Sequence, residues 1–266
     1  MQWEIFWRLF AFVFGLLIGS FLNVCIYRIP RKKSIVLPAS FCPHCQEPIK
    51  WYDNIPLLSY LFLQGKCRRC RAPIGWRYLI VELVTGLTSL LLYIKYGWGY
   101  QYPVFFLFAA LLLAVSFTDL EHQIIPDRLS LPGILVGWLA AWLPGPPFWL
   151  DSLIGGVAGA GGLFLVAFVY ERITGREGMG GGDVKLLGMI GAWLGWQALP
   201  FVVLLSSLTG VLAGGTFLLL SGKGSRARIP FGPFLSLGAL LYVFWGPQMT
   251  AWYYHALFGG LPLDRF

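Results

Sequence analysis

Residues 103–119 read PVFFLFAALLLAVSFTD, and no charged residue stands between Lys95 and Asp119. A run of that length and apolarity suits a helix that crosses the ~30 Å hydrocarbon core of a bilayer, which takes about 20 residues. The pattern recurs along the chain. Apolar segments fall at 5–27, 78–96, 102–118, 129–143, 150–170, 184–199, 201–221 and 233–253, and over all 266 residues 57% are hydrophobic and only 12% charged. This predicts an all-α polytopic membrane protein with about eight transmembrane helices and argues against a soluble globular domain. The stretch from Leu186 to Leu220 would measure about 50 Å as one helix, so it doubles back, with Pro200 expected at the turn. Segments 129–143 and 184–199 are short for a span.

Basic residues set the orientation, because lysine and arginine collect on the cytoplasmic side. Ten of the twenty lie between Arg28 and Arg77. Placing that segment inside also places Arg128, Arg172, Arg176, Lys185, Lys223, Arg226 and Arg228 inside, leaving only Arg8, Lys95 and Arg265 outside. Both termini are then expected outside. The first apolar segment is preceded by Glu4, with no basic start and no small-residue cleavage site, so it reads as a retained helix and not a signal peptide. The net charge of +8 suits anionic lipid headgroups, and no nucleic-acid partner is expected.

The segment 28–77 is the one part with soluble character. It carries Cys42-Pro43-His44-Cys45 and Cys67-Arg68-Arg69-Cys70, each followed at the same distance by Pro-Ile, as Pro48-Ile49 and Pro73-Ile74. Two such knuckles can face one another and close a tetrahedron of thiolates around zinc. About 50 residues with few large apolar groups need the stability a metal adds. Two disulfides are the alternative, disfavoured in a reducing cytoplasm. His44 is superfluous once four thiolates are present, and Cys25 reads as a small buried residue.

Two carboxylates stand at the mouths of apolar segments, Asp119 after Ser116-Phe117-Thr118 and Asp183 after Gly180-Gly181-Gly182. Acids in such places are costly for a membrane protein to keep. The charge count puts both at the cytoplasmic surface. Asp119 ends a helix whose dipole there disfavours a negative charge. Asp183 opens a helix and can cap it, but three glycines before it allow another chain to come close, as an extended substrate requires. Two carboxylates can divide the proton transfers of peptide hydrolysis. Asp127, after Pro126, is expected to be a helix N-cap. Glu121 and His122 read as solvated side chains at headgroup level, and Glu171, Arg172, Arg176 and Glu177 as a mixed-charge loop. Gly155-x-x-x-Gly159, Gly191-x-x-x-Gly195 and Gly210-x-x-x-Gly214 favour close helix contacts.

Together, Phe117-Thr118-Asp119, Ile125-Pro126-Asp127, Gly180-Gly181-Gly182-Asp183-Val184-Lys185 and the paired cysteine knuckles resemble the bifunctional type IV prepilin peptidases, or leader peptidases/N-methyltransferases, intramembrane-type aspartic proteases with a GxGD motif. Gly19-Ser20-Phe21-Leu22-Asn23-Val24, Trp51-Tyr52-Asp53-Asn54-Ile55-Pro56 and Pro230-Phe231-Gly232-Pro233-Phe234 are similar to that family's framework. The resemblance implies cleavage of prepilin or pseudopilin leaders after a glycine at the cytoplasmic face of the bacterial inner membrane. Methylation of the new N-terminal residue with S-adenosylmethionine follows, in the service of a type IV pilus or type II secretion. Carried over by motif, Asp119 and Asp183 are the catalytic pair, and Cys42, Cys45, Cys67 and Cys70 bind zinc. Residues 1–100, with the insertion 28–77, would be linked to methylation and 101–266 to peptide hydrolysis.

No glycine-rich nucleoside loop between a strand and a helix is found. Asn23, Asp53, Asn54 and Glu82 could line a cofactor pocket, although Asp53 and Asn54 also read as turn formers. The alternative class is an ion- or proton-coupled transporter using the paired aspartates, whose signature of repeated halves is not seen. A non-catalytic scaffold docking partners through its knuckles would leave the triple glycine unexplained.

Overall fold

The computed structural model describes residues 2–145, 147–175, 179–221 and 230–258. Arg176, Glu177, Lys223, Arg226, Arg228 and Arg265 lie outside them. Among the described residues the regular elements are helices: α1 (Gln2–Arg28), a short α2 (Leu58–Phe62), α3 (Arg77–Tyr96), α4 (Gln101–His122), α5 (Asp127–Ala140), α6 (Trp149–Thr174), α7 (Gly181–Leu194), α8 (Leu199–Ser221) and α9 (Gly232–Phe258). The long ones follow the apolar segments. Five stretches, Trp3–Arg28, Arg77–Tyr96, Gln101–His122, Trp149–Thr174 and Trp196–Thr216, are long and apolar enough to cross a bilayer. The chain is an all-α, multi-pass membrane protein. Helices α5 and α7 have 14 residues each, about 21 Å, which falls short of the hydrocarbon thickness.

Two boundaries differ from expectation. The chain reverses at Gly195 and not at Pro200: Gly195 ends α7 with φ +81°, its N–H donating to Gly191 O at 2.8 Å, in a conformation open to glycine at little cost. A 3-10 turn over Trp196–Ala198 follows. Pro200 then lies in the first turn of α8, where a missing N–H forfeits no hydrogen bond. At the other boundary α6 continues to Thr174, so Glu171 and Arg172 belong to its last turn and not to a loop. Gly175 closes it in the left-handed conformation.

The chain divides between His122 and Gln123 into two compact units. In the first, α1 packs on α3 and α4. Small residues let the backbones of α1 and α3 approach: a Cβ on Gly19 would lie 2.8 Å from Glu82 Cα, and one on Gly86 2.6 Å from Leu16 Cδ2. Ser89 Oγ donates to Ala11 O at 2.6 Å and lies 2.8 Å from the Tyr102 hydroxyl, tying all three helices together. At one end of this bundle Trp98 is the hub of an aromatic cluster with Trp7, Phe10, Tyr93 and Tyr102, as suits a membrane interface. At the other end Arg77 pairs with Glu121, and Arg31 Nη1 lies 3.2 Å from His122 Nε2. Glu121 and His122 therefore join helix ends and are not simply solvated.

In the second unit α7 is the central helix. Every residue from Leu186 to Leu194 is buried. Its glycines meet those of α6 backbone to backbone: a Cβ on Gly159 would lie 2.6 Å from Leu187 O, and Gly155 and Gly191 face each other with no room for one. Ser152 Oγ donates to Ala192 O at 2.5 Å across the same seam. On the other side of α7 the Trp193 indole fills a notch at Gly137 and donates to Gly133 O at 2.8 Å, locking α5 in place. Helices α8 and α9 meet at Gly238, where a Cβ would lie 2.9 Å from Val202 O.

Candidate functional site

The insertion between α1 and α3 is built twice, at an offset of 25 residues. Cys42 N–H donates to Glu47 O and Cys67 N–H to Ala72 O, each at 2.9 Å. Gln46 and Arg71 take the matching positive φ values of 59° and 57°. Bridges Phe41–Pro48 and Lys66–Pro73 close the two loops alike. Repetition of Cys-x-x-Cys-x-x-Pro-Ile thus becomes repetition of geometry. Sulfurs of Cys42, Cys45, Cys67 and Cys70 all lie within 4.8 Å of one another, and those of Cys42 and Cys70 are 3.8 Å apart. A tetrahedral ion with bonds of ~2.3 Å to sulfur needs edges of about 3.8 Å. The four cysteines therefore form a cluster that could hold a metal ion. Backbone N–H groups of Cys70 and Arg69 bring the Cys67 thiol down to about 7, which favours the thiolate a metal requires.

Charged struts hold the knuckles. Arg69 pairs with Glu47 across the two loops. Arg68 grips Asp53 with both arms of its guanidinium, Nε to Oδ2 at 2.8 Å and Nη2 to Oδ1 at 2.6 Å. Its hydrogen bonds and charge hold the Asp53 carboxyl below the usual carboxylate range. Asp53, in the 3-10 turn Trp51–Asn54, is thus more than a turn former. Arg28, buried at the end of α1, donates to Ser34 O at 3.1 Å and Pro38 O at 2.8 Å, fixing the path of the chain into the insertion. Cys25 is buried in α1, and His44 stands apart from the sulfur cluster.

A cavity of about 510 Å³ separates the knuckles from the ends of α1 and α3. Asn23, Asp53, Asn54 and Glu82 all line it, together with His44 and Tyr60. Sequence reading singled out the first four by polarity. It missed the Arg68 strut, for which no local signal exists.

Asp119 belongs to the first unit and Asp183 to the second. Asp119 is 5% exposed in the last turn of α4, and the adjacent Thr118 is fully buried. Asp183 is the third residue of α7, half-buried, and does not cap it, since Gly180 holds the N-cap position without a side-chain bond. Of the three glycines only Gly182 is forced by packing, a Cβ there falling 2.9 Å from Ile125 Cβ. Gly181 faces open space, and Gly180 meets only the Asp183 carboxylate and the Gly182 nitrogen. Asp127 is likewise no cap. It is the first residue of α5 and accepts a hydrogen bond from Lys185 Nζ at 2.6 Å, because α5 and α7 start side by side.

Comparisons with known proteins cover both units. Residues 13–96 match the bacterial peptidase A24 N-terminal domain, and residues 106–215 match the type IV leader peptidase family. The chain is 40% identical to a prepilin leader peptidase/N-methyltransferase of Aeromonas hydrophila over 93% of its own length and 94% of that protein. It is 41% identical to one of Pseudomonas aeruginosa over 90% of each. One of Legionella pneumophila is 38% identical, over 91% and 92%. No solved structure matches. Identity of this order along nearly the full length, in an all-helical membrane chain with a four-cysteine insertion, places the protein among these enzymes: it belongs to the type IV leader peptidase family.

Proposed function

We propose that the chain is a bifunctional enzyme of the bacterial inner membrane. It removes the leader of a prepilin or pseudopilin after a glycine at the cytoplasmic face and then methylates the new N-terminal amine. The observation that carries the reading is the burial of Asp119 in the final turn of α4, at the helix end least hospitable to a carboxylate. A family of leader peptidases supplies the reaction for which such a group is kept. Open backbone at Gly180 and Gly181 beside Asp183 suits an extended peptide.

Asp119 and Asp183 divide the proton transfers. One carboxylate takes a proton from water as the water oxygen attacks the glycine carbonyl carbon, and the other, protonated, gives its proton to the carbonyl oxygen. Collapse of the tetrahedral carbon breaks the C–N bond: the leaving amine takes a proton from the carboxyl that gained one, and a hydroxyl on that carbon returns its proton to the other carboxylate as the carbonyl re-forms, which restores the pair. Residues 101–266 carry this chemistry and residues 1–100 the methylation. S-adenosylmethionine supplies the methyl group. Cys42, Cys45, Cys67 and Cys70 hold zinc, cross-linking the two knuckles. The insertion and both aspartates face the cytoplasm, where the basic residues meet anionic lipid.

Mass spectrometry of a prepilin incubated with the purified protein and S-adenosylmethionine reads leader loss and methyl gain together. Asp119→Asn and Asp183→Asn should each slow leader removal by at least about 100-fold, the low end of what general acid–base catalysis contributes. Leader removal at the wild-type rate by either variant, correctly inserted, would overturn the aspartate pair.

A further inference from the structure

The cavity between the knuckles and the ends of α1 and α3 is lined by neither Asp119 nor Asp183, yet its wall is costly to maintain. Its volume, about 510 Å³, falls in the range of about 300–1,000 Å³ typical of small-molecule sites. Asn23 is 2% exposed. Its Nδ2 donates to Tyr78 O at 3.1 Å, but its Oδ1 is buried and accepts no hydrogen bond among the described residues. A buried amide oxygen left open is destabilising unless a ligand supplies the donor.

Glu82 stands on the facing helix. It is 9% exposed, and its Oε2 accepts the N–H of Leu57 at 2.9 Å, a residue in the unusual conformation φ 58°, ψ −50°. Among the described residues no cation forms an ion pair with it. A carboxylate removed from water without a countercharge is expensive, and a cationic ligand offsets that cost. Both groups are held by the tightest helix contact of the first unit. Asn23 is one turn beyond Gly19, whose missing side chain lets α1 rest on the backbone of Glu82. Part of the remaining wall, Val24, Phe41, Tyr60 and Leu63, offers apolar and aromatic surface to a flat heterocycle, and Arg28, Lys50, Arg68 and Arg69 line the cavity as well.

We propose that this cavity is the binding site of the methyl donor, with the Glu82 carboxylate facing its cationic sulfonium and amino-acid end and Asn23 Oδ1 accepting one of its protons. The proposal rests on the methyl-transfer reading above. Cys42 and Cys67 belong to the same wall, so the metal cluster shapes the site from its far side without touching the chemistry.

Calorimetric titration of the full-length protein in detergent with S-adenosylmethionine, and with S-adenosylhomocysteine, which lacks the sulfonium charge, tests the site directly. Glu82→Gln keeps an acceptor for Leu57 N–H and removes only the charge. It should weaken S-adenosylmethionine binding by about ten- to a hundred-fold, the range for losing a charge-assisted contact, and should weaken S-adenosylhomocysteine less. Asn23→Leu, similar in size but without the Oδ1 acceptor and without the Nδ2 donor to Tyr78 O, should weaken both ligands by about fivefold to tenfold. Thermal unfolding without ligand reports whether each variant is folded, and Asn23→Leu carries the test if Glu82→Gln is not. Wild-type affinity in the folded variants, alongside a wild-type protein that binds the donor and methylates, overturns this site alone. Methylation lost in the variants with donor affinity unchanged also overturns it, assigning the residues to the acceptor amine. A wild-type protein that cleaves leaders but binds no donor and transfers no methyl group overturns the methyl-transfer reading itself.

Discussion

Arg68 holds Asp53 in a two-armed fork whose chemistry depends on pH. Because the guanidinium lowers the folded-state value of the Asp53 carboxyl, the pair contributes stability above the unfolded value of about 3.9 and loses it as pH falls through the lower folded value. Hydrogen exchange over Trp51–Arg68, corrected for intrinsic rates, should therefore show constant protection from neutral pH to about 4 and declining protection below that. Asp53→Asn should remove the acid-dependent part of that decline. If the decline is the same in both proteins, the fork contributes nothing. The two partners are 15 positions apart, and the sequence shows them as a turn former and a knuckle residue. Pairing is a property of the fold, which is why Asp127 with Lys185, and Glu121 with Arg77, were equally illegible from composition. The acids at 119 and 183 stand out in the sequence for a different reason: an acid beside a long apolar run is rare.

Helix contacts show how far a spacing rule reaches. The Gly-x-x-x-Gly pairs at 155 and 191 mark real seams, since α6 and α7 touch through backbone there. Gly210 has the same spacing, but a Cβ on it would rest 3.6 Å from the Phe234 ring, an ordinary contact. Gly15 and Gly19, which belong to no Gly-x-x-x-Gly pair singled out for helix contacts, carry the α1–α3 seam. Spacing fixes which face of a helix is small and says nothing of what that face meets. Gly159→Leu should accordingly cost about 3 kcal/mol, because the obstructing atom is a carbonyl that cannot move aside. That lowers the unfolding midpoint in detergent by roughly 6–12 °C for a chain of this size. Gly210→Ala should leave the midpoint unchanged or raise it slightly, by the helix propensity gained. The knuckles were the most legible element, because a metal site needs its ligands at fixed spacing and repeats them in the chain. Cys42→Ser or Cys67→Ser should reduce bound zinc from about one ion per chain to a small fraction of that, read by elemental analysis. Full zinc in both variants would exclude a four-thiolate site.

Across the whole molecule the apolar segments foretold the helices well, whereas crossing and helix are not the same quantity. Helices α5 and α7 are about 21 Å long, and α7 is buried in protein through Leu186–Leu194, so hydropathy registers them while the bilayer does not dictate their length. Sidedness therefore rests on charge. The segment from Arg28 to Arg77 holds ten of the twenty basic residues, and in the first unit the charged cluster of Arg31, Arg77, Glu121 and His122 lies at the opposite end of the bundle from the Trp98 aromatic cluster. A bundle with ionic groups at one end and aromatic rings at the other fits a cytoplasmic charged end, by the preference of lysine and arginine for that side. Several of these basic residues, Lys33, Lys66 and Arg71 among them, lie on the insertion and offer sites to trypsin. In inside-out membrane vesicles trypsin should cut within 28–77 and leave the flanking helices as protected fragments, whereas sealed right-side-out vesicles should leave 28–77 uncut and offer only Arg8, Lys95 and Arg265 to the protease. Cleavage within 28–77 confined to the right-side-out preparation would invert the topology and place the knuckles, and with them the proposed methyl-donor cavity, on the side where that donor is not made.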